Sequence, residues 1–524
     1  MLIGTELLTS AQMRAIESAA TTSGRVPAEI LMERAGVAAA ELIAARWPLP
    51  GVATVLCGPG NNGGDGYVIA DRLARAGWRV RVLGAPTGDG GCAAATRARW
   101  IAGGPGRTVA PLTSAAWQDA PDPDIVVDAI FGTGLTRPLD GALARLLRAV
   151  AAGPAPVVAI DAPSGLCLDS GTLRGHPRGT VPDDMPRATL TIAFDSPRPG
   201  HLLEAGPTLC GQLIIADIGL EPFRTMDRAA PTQAVWPPFD VPDRRRRDPA
   251  PTAAWLCKQQ AGATHKYDHG AALIVAGGPA QGGAARLAAR AALRVGAGLV
   301  TIAAPRTALP EHAAPPDALM RTGLDDAGDL AELLADLRVR AVCLGPGCGV
   351  ARADALLPAA LGWGGPLVLD ADALTAQAPR GMFGLHTACV LTPHGGEFAR
   401  LFPDLARLLA QDASAGPVAS RVDVVRQAAG RAGAVVLLKG PDTVIADPRG
   451  QVIVHAAHDV PWLATAGAGD VLSGLICGLM ARGLPGLEAA ATAARLHATA
   501  ARRFGPGLIA DDLPDTIPMT LRAT

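Results

Sequence analysis

Lysine is nearly absent from this 524-residue chain: of 47 basic residues only Lys258, Lys266 and Lys439 are lysines, and the other 44 are arginines. With the excess of alanine, glycine and proline, this reads as a coding bias against lysine. A lysine that persists is then a candidate for a place where a compact point charge is needed and a planar guanidinium will not serve. Lys266 and Lys439 stand in motif-like contexts, whereas Lys258 reads as accidental. The nine cysteines are scattered without a CxxC pair, and no histidine cluster has zinc spacing. Neither a disulfide framework nor a structural zinc site is indicated, and the compartment expected is a reducing one. Formal net charge is -1 with 18% charged residues, so no broad basic field exists to attract nucleic acid or an anionic membrane. No run reaches about 18 apolar residues without a charge, and no basic region precedes an apolar run at the N-terminus. The expectation is a cytoplasmic protein whose partners are small molecules, with neither nucleic acid nor membrane among them.

What the chain does have is length and alternation. Single cores stop growing at roughly 250 to 300 residues, so two domains are expected. Residues 225–252 are proline-rich, carry an arginine run at 244–247 and break the apolar periodicity. They read as a linker with a solvated face, dividing the chain into domains of residues 1–225 and 226–524. Before it, apolar runs at 52–57, 79–83, 125–128 and 157–161 alternate with helix-like segments such as 67–76 and 142–151. After it, strands are expected at 272–276, 299–303, 341–344, 367–370, 390–392 and 435–438, and helices at 284–295, 397–402, 422–432 and 468–480. This alternation argues βαβ units and parallel sheets, giving two α/β domains.

The stretch CGPGNNGGDGYVIADRL at 57–73 contains GxGxxG between a strand and a helix. An ordinary dinucleotide site would add an acid about 20 positions on, at the end of the second strand; here that strand runs into GAPTG with no acid before Asp89. What remains is a glycine loop whose amides can approach a phosphate at a helix N-terminus. Asp128 and Asp161 close two further strands, followed by FGTGL and APSG, and loops at the carboxyl ends of parallel strands should converge. GPGNNGGDG at 58–66, VDAIFGTGL at 127–135, IDAPSG at 160–165 and LMERAG at 31–36 together resemble the YjeF N-terminal domain of the NAD(P)H-hydrate epimerase family, over most of residues 1–220. The resemblance implies a Rossmann-like three-layer sandwich that binds potassium through Asn62, Asp128 and Ser164. It also implies substrate contacts from Asn61, Asn62, Gly63, Gly64 and Asp65, and from Gly132, Thr133, Gly134, Leu135, Thr136, Arg137 and Pro138. Asp161 is the candidate for proton transfer, because inverting a carbinol carbon beside the ring nitrogen requires a leaving group to depart and return. Two departures stand out: Glu17 where the family usually has aspartate, and Arg198 where it usually has lysine.

In the second half, ATAGAGDVLSG at 464–474 opens a helix with Gly467, Gly469 and Asp470. Free amides, the helix dipole and a carboxylate are what phosphoryl transfer needs, with Asp470 accepting the proton of an attacking hydroxyl. No GxxxxGK[ST] occurs, which excludes a P-loop. HKYDHG at 265–270, GPGCG at 345–349, LDADAL at 369–374, TPHGGEFARL at 392–401, LLKGPDT at 437–443 and GAGD resemble the ribokinase-like NAD(P)H-hydrate dehydratases, over nearly all of residues 253–520. That resemblance implies hydrate contacts at Ala284, Gly347 or Gly349, His394 and Asp470. Nucleotide contacts are implied at Lys439, Gly440, Pro441, Asp442, Thr443 and Gly469, with ADP as co-substrate; Mg2+ is expected because phosphoryl transfer generally uses it. A homo-oligomer is expected from the resemblance. HDVPWLATAGAGD at 458–470 departs from the family's pattern at Trp462 and Ala468. Because GAGD also marks sugar and vitamin kinases of the same fold, a small-molecule kinase stays open, as does a first domain that only binds.

Overall fold

The apolar runs form strands within one or two residues of their expected bounds, and the computed structural model describes residues 3–88, 90–224, 232–235, 253–258, 262, 265–414 and 416–522. These divide into two units. The first holds the described residues up to 224 and those of 410–420; the second holds 232–235, the described residues of 253–409, and 421–522.

The first unit is built on a seven-stranded sheet. Its order is Val109–Pro111, Arg79–Gly84, Val52–Cys57, Ile125–Ala129, Val157–Ile160, Ala188–Phe194 and Gln212–Ala216, and every neighbour is parallel. The inner strands are buried on both faces, as their unbroken Val, Ile and Ala runs require. Strand order reverses between Val52–Cys57 and Ile125–Ala129, which opens a crevice beyond their carboxyl ends. Gly58 follows the first of these strands, and a Cβ there would strike the carbonyl of Ile130, which follows the other.

The second unit repeats the device. Met320–Gly323, Leu299–Ala304, Ala271–Val275, Val339–Leu344, Leu367–Leu369, Cys389–Leu391 and Val435–Leu438 are parallel neighbours in that order, and the order reverses between Ala271–Val275 and Val339–Leu344. Gly277 there approaches the Gly347 carbonyl as Gly58 approaches Ile130. Helices Gly283–Arg294 and Ala468–Ala481 pack together through small residues, Ala288 and Ala292 lying against Gly474 and Gly478. That is a use for the chain's alanine excess, since small side chains let helix backbones approach.

Three expectations change. The sheet of the second unit is not wholly parallel: Asp442–Ala446 and Val452–Ala456 add an antiparallel pair, each strand buried throughout. Within the expected linker, Thr232–Val235 is a strand parallel to Val452–Ala456, formed because that edge still offers unpaired backbone; the arginine run at 244–247 lies outside the described residues. The helix expected from residue 67 starts at Asn61, inside the glycine stretch.

Candidate active sites

In the first unit the switch-point crevice is a cavity of about 670 Å3. Its walls include Asn61, Asn62 and Asp65 from helix Asn61–Arg75, the loop 130–134, Asp161, and Arg14 and Glu17 from helix Ser10–Thr22. Gly60 caps helix Asn61–Arg75 without a side-chain hydrogen bond, and the first helical bond runs from the Gly64 N–H to the Gly60 carbonyl. The N–H groups of Asn61, Asn62 and Gly63 precede that bond, so the helix presents donors and the positive end of its dipole at the cavity.

Asp161 is buried and holds φ +63°, a left-handed conformation that costs a non-glycine residue energy and persists where surroundings enforce it. The enforcement is visible. Its carboxylate accepts the Thr133 N–H at 2.9 Å and faces the Arg198 guanidinium at 3.4 Å, while its carbonyl meets the His201 ring at 2.8 Å. A Cβ at Gly132 would collide with that carboxylate, so Gly132 is what lets Asp161 sit over the loop. Burial pushes the Glu17 carboxyl up to about 7, with the Asp161 charge adding to the rise. Burial also holds Asp65 well above the usual range, Asp161 and Glu17 contributing.

Beside the cavity, buried Asp128 accepts the Ser164 hydroxyl at 2.7 Å, the Ser164 N–H at 2.8 Å and the Ile130 N–H at 3.2 Å. Burial raises its carboxyl despite those bonds. Among the described residues the buried Asn62 amide nitrogen has no hydrogen-bond partner.

In the second unit the carboxyl ends of the parallel strands carry the chemistry. Lys439 follows Val435–Leu438 and pairs with Asp370, which follows Leu367–Leu369, at 2.8 Å, with Glu397 at 4.0 Å. Asp370 is 1% exposed, and its second oxygen accepts the Ser473 hydroxyl at 2.6 Å. A Cβ on Gly469 would lie 3.4 Å from the Lys439 ammonium. The first α-helical bond of Ala468–Ala481 is Val471 N–H to Gly467, so the amides of Gly469 and Asp470 precede it beside that ammonium. Helix end and lysine together make a site for an anion. Burial raises Asp470 to about 6, Asp370 adding to the rise and Lys439 opposing it. Asp372 acts on Asp470 in the same sense and accepts the Gly349 N–H at 2.8 Å, which ties the GPGCG loop to this cluster.

Two family models match, one described as YjeF-related protein N-terminus over residues 28–200 and one as NAD(P)H-hydrate dehydratase over residues 272–519. The bifunctional NAD(P)H-hydrate repair enzyme Nnr of Moorella thermoacetica is 37% identical, the match covering 98% of this chain and 96% of that one. The enzyme of the same name from Salinibacter ruber is also 37% identical, covering 98% and 95%. This chain belongs to the bifunctional NAD(P)H-hydrate repair enzymes. Among solved structures, the ADP/ATP-dependent NAD(P)H-hydrate dehydratase from Bacillus subtilis, co-crystallised with ATP and Mg2+, is 26% identical with a TM-score of 0.42, covering 50% of this chain and 93% of that one.

As a repair enzyme of this family, the chain has an epimerase and a dehydratase domain, and the residues expected at each site are only partly gathered. Asn61, Asn62, Asp65, Gly132, Thr133, Gly134 and Asp161 line the cavity. Leu135 is buried, while Thr136, Arg137 and Pro138 are exposed beyond the lining. Gly63, Gly64 and Gly66 lie inside the helix, where a Cβ would meet Gly58, Met32 and Ala129 respectively, so close packing by itself calls for glycine at each. Ala284 and Gly347 face each other, a Cβ on Gly347 lying 3.2 Å from that of Ala284. His394 caps helix Gly395–Leu401 through its Nδ1, 2.9 Å from the Gly396 N–H, with its side chain 58% exposed. Thr443 donates to the Gly440 carbonyl at 2.8 Å, Pro441 accepts the Ala457 N–H and Asp442 opens a buried strand 3.8 Å from Arg421, so this stretch is held as a turn behind Lys439. Sequence reasoning did not foresee Arg14 or Glu17 as cavity walls, or Asp370 as the partner of Lys439.

Proposed function

We propose that residues 1–225 interconvert the R and S forms of NADH and NADPH hydrated on the nicotinamide ring, NADHX and NADPHX, with Asp161 moving a proton. Residues 226–524 then dehydrate the S form at the expense of ADP, giving AMP and phosphate, with Asp470 as base. The observation that supports this most is that each unit sets a carboxylate, the buried Asp161 or the half-buried Asp470, beside free helix amides at the ends of its parallel strands. In the second unit Asp470 takes the proton of the ring hydroxyl as its oxygen attacks the terminal phosphorus of ADP. Lys439 and the amides of Gly469 and Asp470 stabilise the charge on the moving phosphoryl group. The ester then departs as phosphate with loss of a ring proton to solvent, which restores reduced nicotinamide.

Among the described residues no group of three or more His, Cys, Asp or Glu could hold a metal ion. Mg2+ therefore fits as the nucleotide's own ion, neutralising phosphate charge. Potassium fits Asn62, Asp128 and Ser164: one carboxylate among neutral oxygens suits a monovalent cation, and the unpartnered Asn62 amide can turn its oxygen to an ion. When bound, it would supply fixed positive charge at the edge of the cavity. Among the described residues no helix is long and apolar enough to cross a membrane. A cytoplasmic homo-oligomer acting on small molecules goes with this reading.

The test is recovery of reduced-nicotinamide absorbance from mixed R and S hydrates with ADP or ATP and potassium. Full recovery supports both activities, and the faster nucleotide identifies the donor. Recovery of the S portion alone refutes epimerisation. No recovery, with a phosphoester accumulating from a stable alcohol, returns the second unit to a kinase.

A further inference from the structure

Epimerisation has two halves. A hydroxyl leaves one face of the ring and water returns on the other, and one carboxylate is poorly placed to serve both faces. The cavity carries a second group suited to this. Glu17 projects from helix Ser10–Thr22, a wall separate from the strand end that holds Asp161, and both line the same space. Among the described residues the Glu17 side chain has neither hydrogen bond nor ion pair, whereas Asp161 is engaged by Thr133 and Arg198. Asp161, Arg198, Asp195 and Arg14 act on Glu17 electrostatically, and Glu17 in turn acts on Asp65.

We propose that Glu17 and Asp161 divide the two proton transfers of epimerisation between opposite faces of the hydrated nicotinamide ring, an inference that rests on the first unit being the epimerase. In one direction the Glu17 acid protonates the hydroxyl. The carbon–oxygen bond breaks, water leaves with that electron pair, and the ring nitrogen's lone pair closes an iminium bond to the carbinol carbon. A second water adds to the opposite face, the iminium pair returns to nitrogen, and the surplus proton passes to Asp161. The net change is inversion with one proton moved from Glu17 to Asp161, and exchange with solvent resets the pair. In the reverse direction the roles exchange. A carboxyl raised to about 7 by burial and by Asp161 is protonated over part of the neutral range, as an acid in this position must be.

The full-length chain and its Glu17→Gln and Glu17→Asp variants are compared on purified R hydrate, with dehydration of purified S hydrate as internal control. Glu17→Gln is expected to lower epimerisation kcat by about 10^2 to 10^4, with KM within about threefold, leaving S-hydrate dehydration unchanged. Glu17→Asp restores most of the rate. The wild-type pH profile carries a limb near pH 7, falling above it if the R hydroxyl faces Glu17 as acid and rising through it if Glu17 is the base, and that limb vanishes in Glu17→Gln. Turnover in 18O-labelled water incorporates label at the hydroxyl. Wild-type rate and pH profile in Glu17→Gln overturn the assignment, as does equal damage in Glu17→Asp with a lowered melting temperature, which marks a structural role. A wild-type chain that dehydrates S hydrate and never epimerises R refutes the reading of the whole unit, a separable result.

Discussion

Asp470 sits where burial and the Asp370, Asp372 and Glu397 carboxylates oppose its ionisation while Lys439 favours it, and the balance places it at about 6. In the proposed role of base it works only when ionised. A carboxyl titrating at about 6 is roughly nine-tenths ionised at pH 7 and roughly one-tenth at pH 5, so dehydration should slow about tenfold across that interval. At an ordinary aspartate value the same interval would change the rate by less than about a tenth. The assay is kcat for S-hydrate dehydration at saturating nucleotide from pH 4.5 to 8, as an order-of-magnitude span around the expected midpoint. ADP ionises in this range too, so the decisive comparison is between proteins. Lys439→Met removes the cation that stabilises the ionised form, so the midpoint must move up in pH, and KM for ADP must rise as the anion site weakens. A midpoint near 4 in the wild type refutes this account of the site, as does a midpoint unmoved by Lys439→Met.

Asp470→Asn should lower dehydration by about 10^2 to 10^4 with nucleotide binding retained, measured by calorimetric titration. Gly132→Ala puts a methyl into the Asp161 carboxylate and should cut epimerisation at least about a hundredfold while dehydration is unchanged, a split visible in one reaction mixture. Asp128→Ala strips the acceptor from the Ser164 hydroxyl and the Ser164 and Ile130 N–H groups. It should destabilise the first unit by about 2 to 4 kcal/mol in denaturant melts. Replacing potassium by a bulky organic cation should slow epimerisation and spare dehydration.

Asp161 and Asp470 were legible because each stands at a strand or helix end marked by glycine, a local pattern with a chemical meaning. Arg14 lies on a helix with no motif of its own and Glu17 was marked only as a departure from the family's aspartate; only tertiary packing turns that helix toward the cavity. The glycines at 63, 64 and 66 were open to two readings. A loop that admits a phosphate and a helix that packs closely on its neighbours both dispense with side chains, and the packing against Gly58, Met32 and Ala129 could not be read locally. In LLKGPDTVIA the strand end before Lys439 was legible, but the buried strand beyond it was too short to read apart from the loop. The Thr232–Val235 strand was hidden by the prolines around it, since strand pairing there is decided by a distant edge and not by local preference.

Backbone resting on backbone at Gly58 and Ile130, and again at Gly277 and Gly347, has a consequence for how these enzymes can diverge. Side-chain exchange ordinarily reshapes a binding site, but at these two seams a glycine meets a backbone carbonyl, and a side chain gained on that glycine forces the loops apart. The two rims of each crevice are therefore bound to drift together or not at all. In the epimerase, variation in which hydrate is accepted is channelled onto the walls that do carry side chains, among them the helix with Arg14 and Glu17. Natural differences in cofactor preference should map there before they map to the glycine loop.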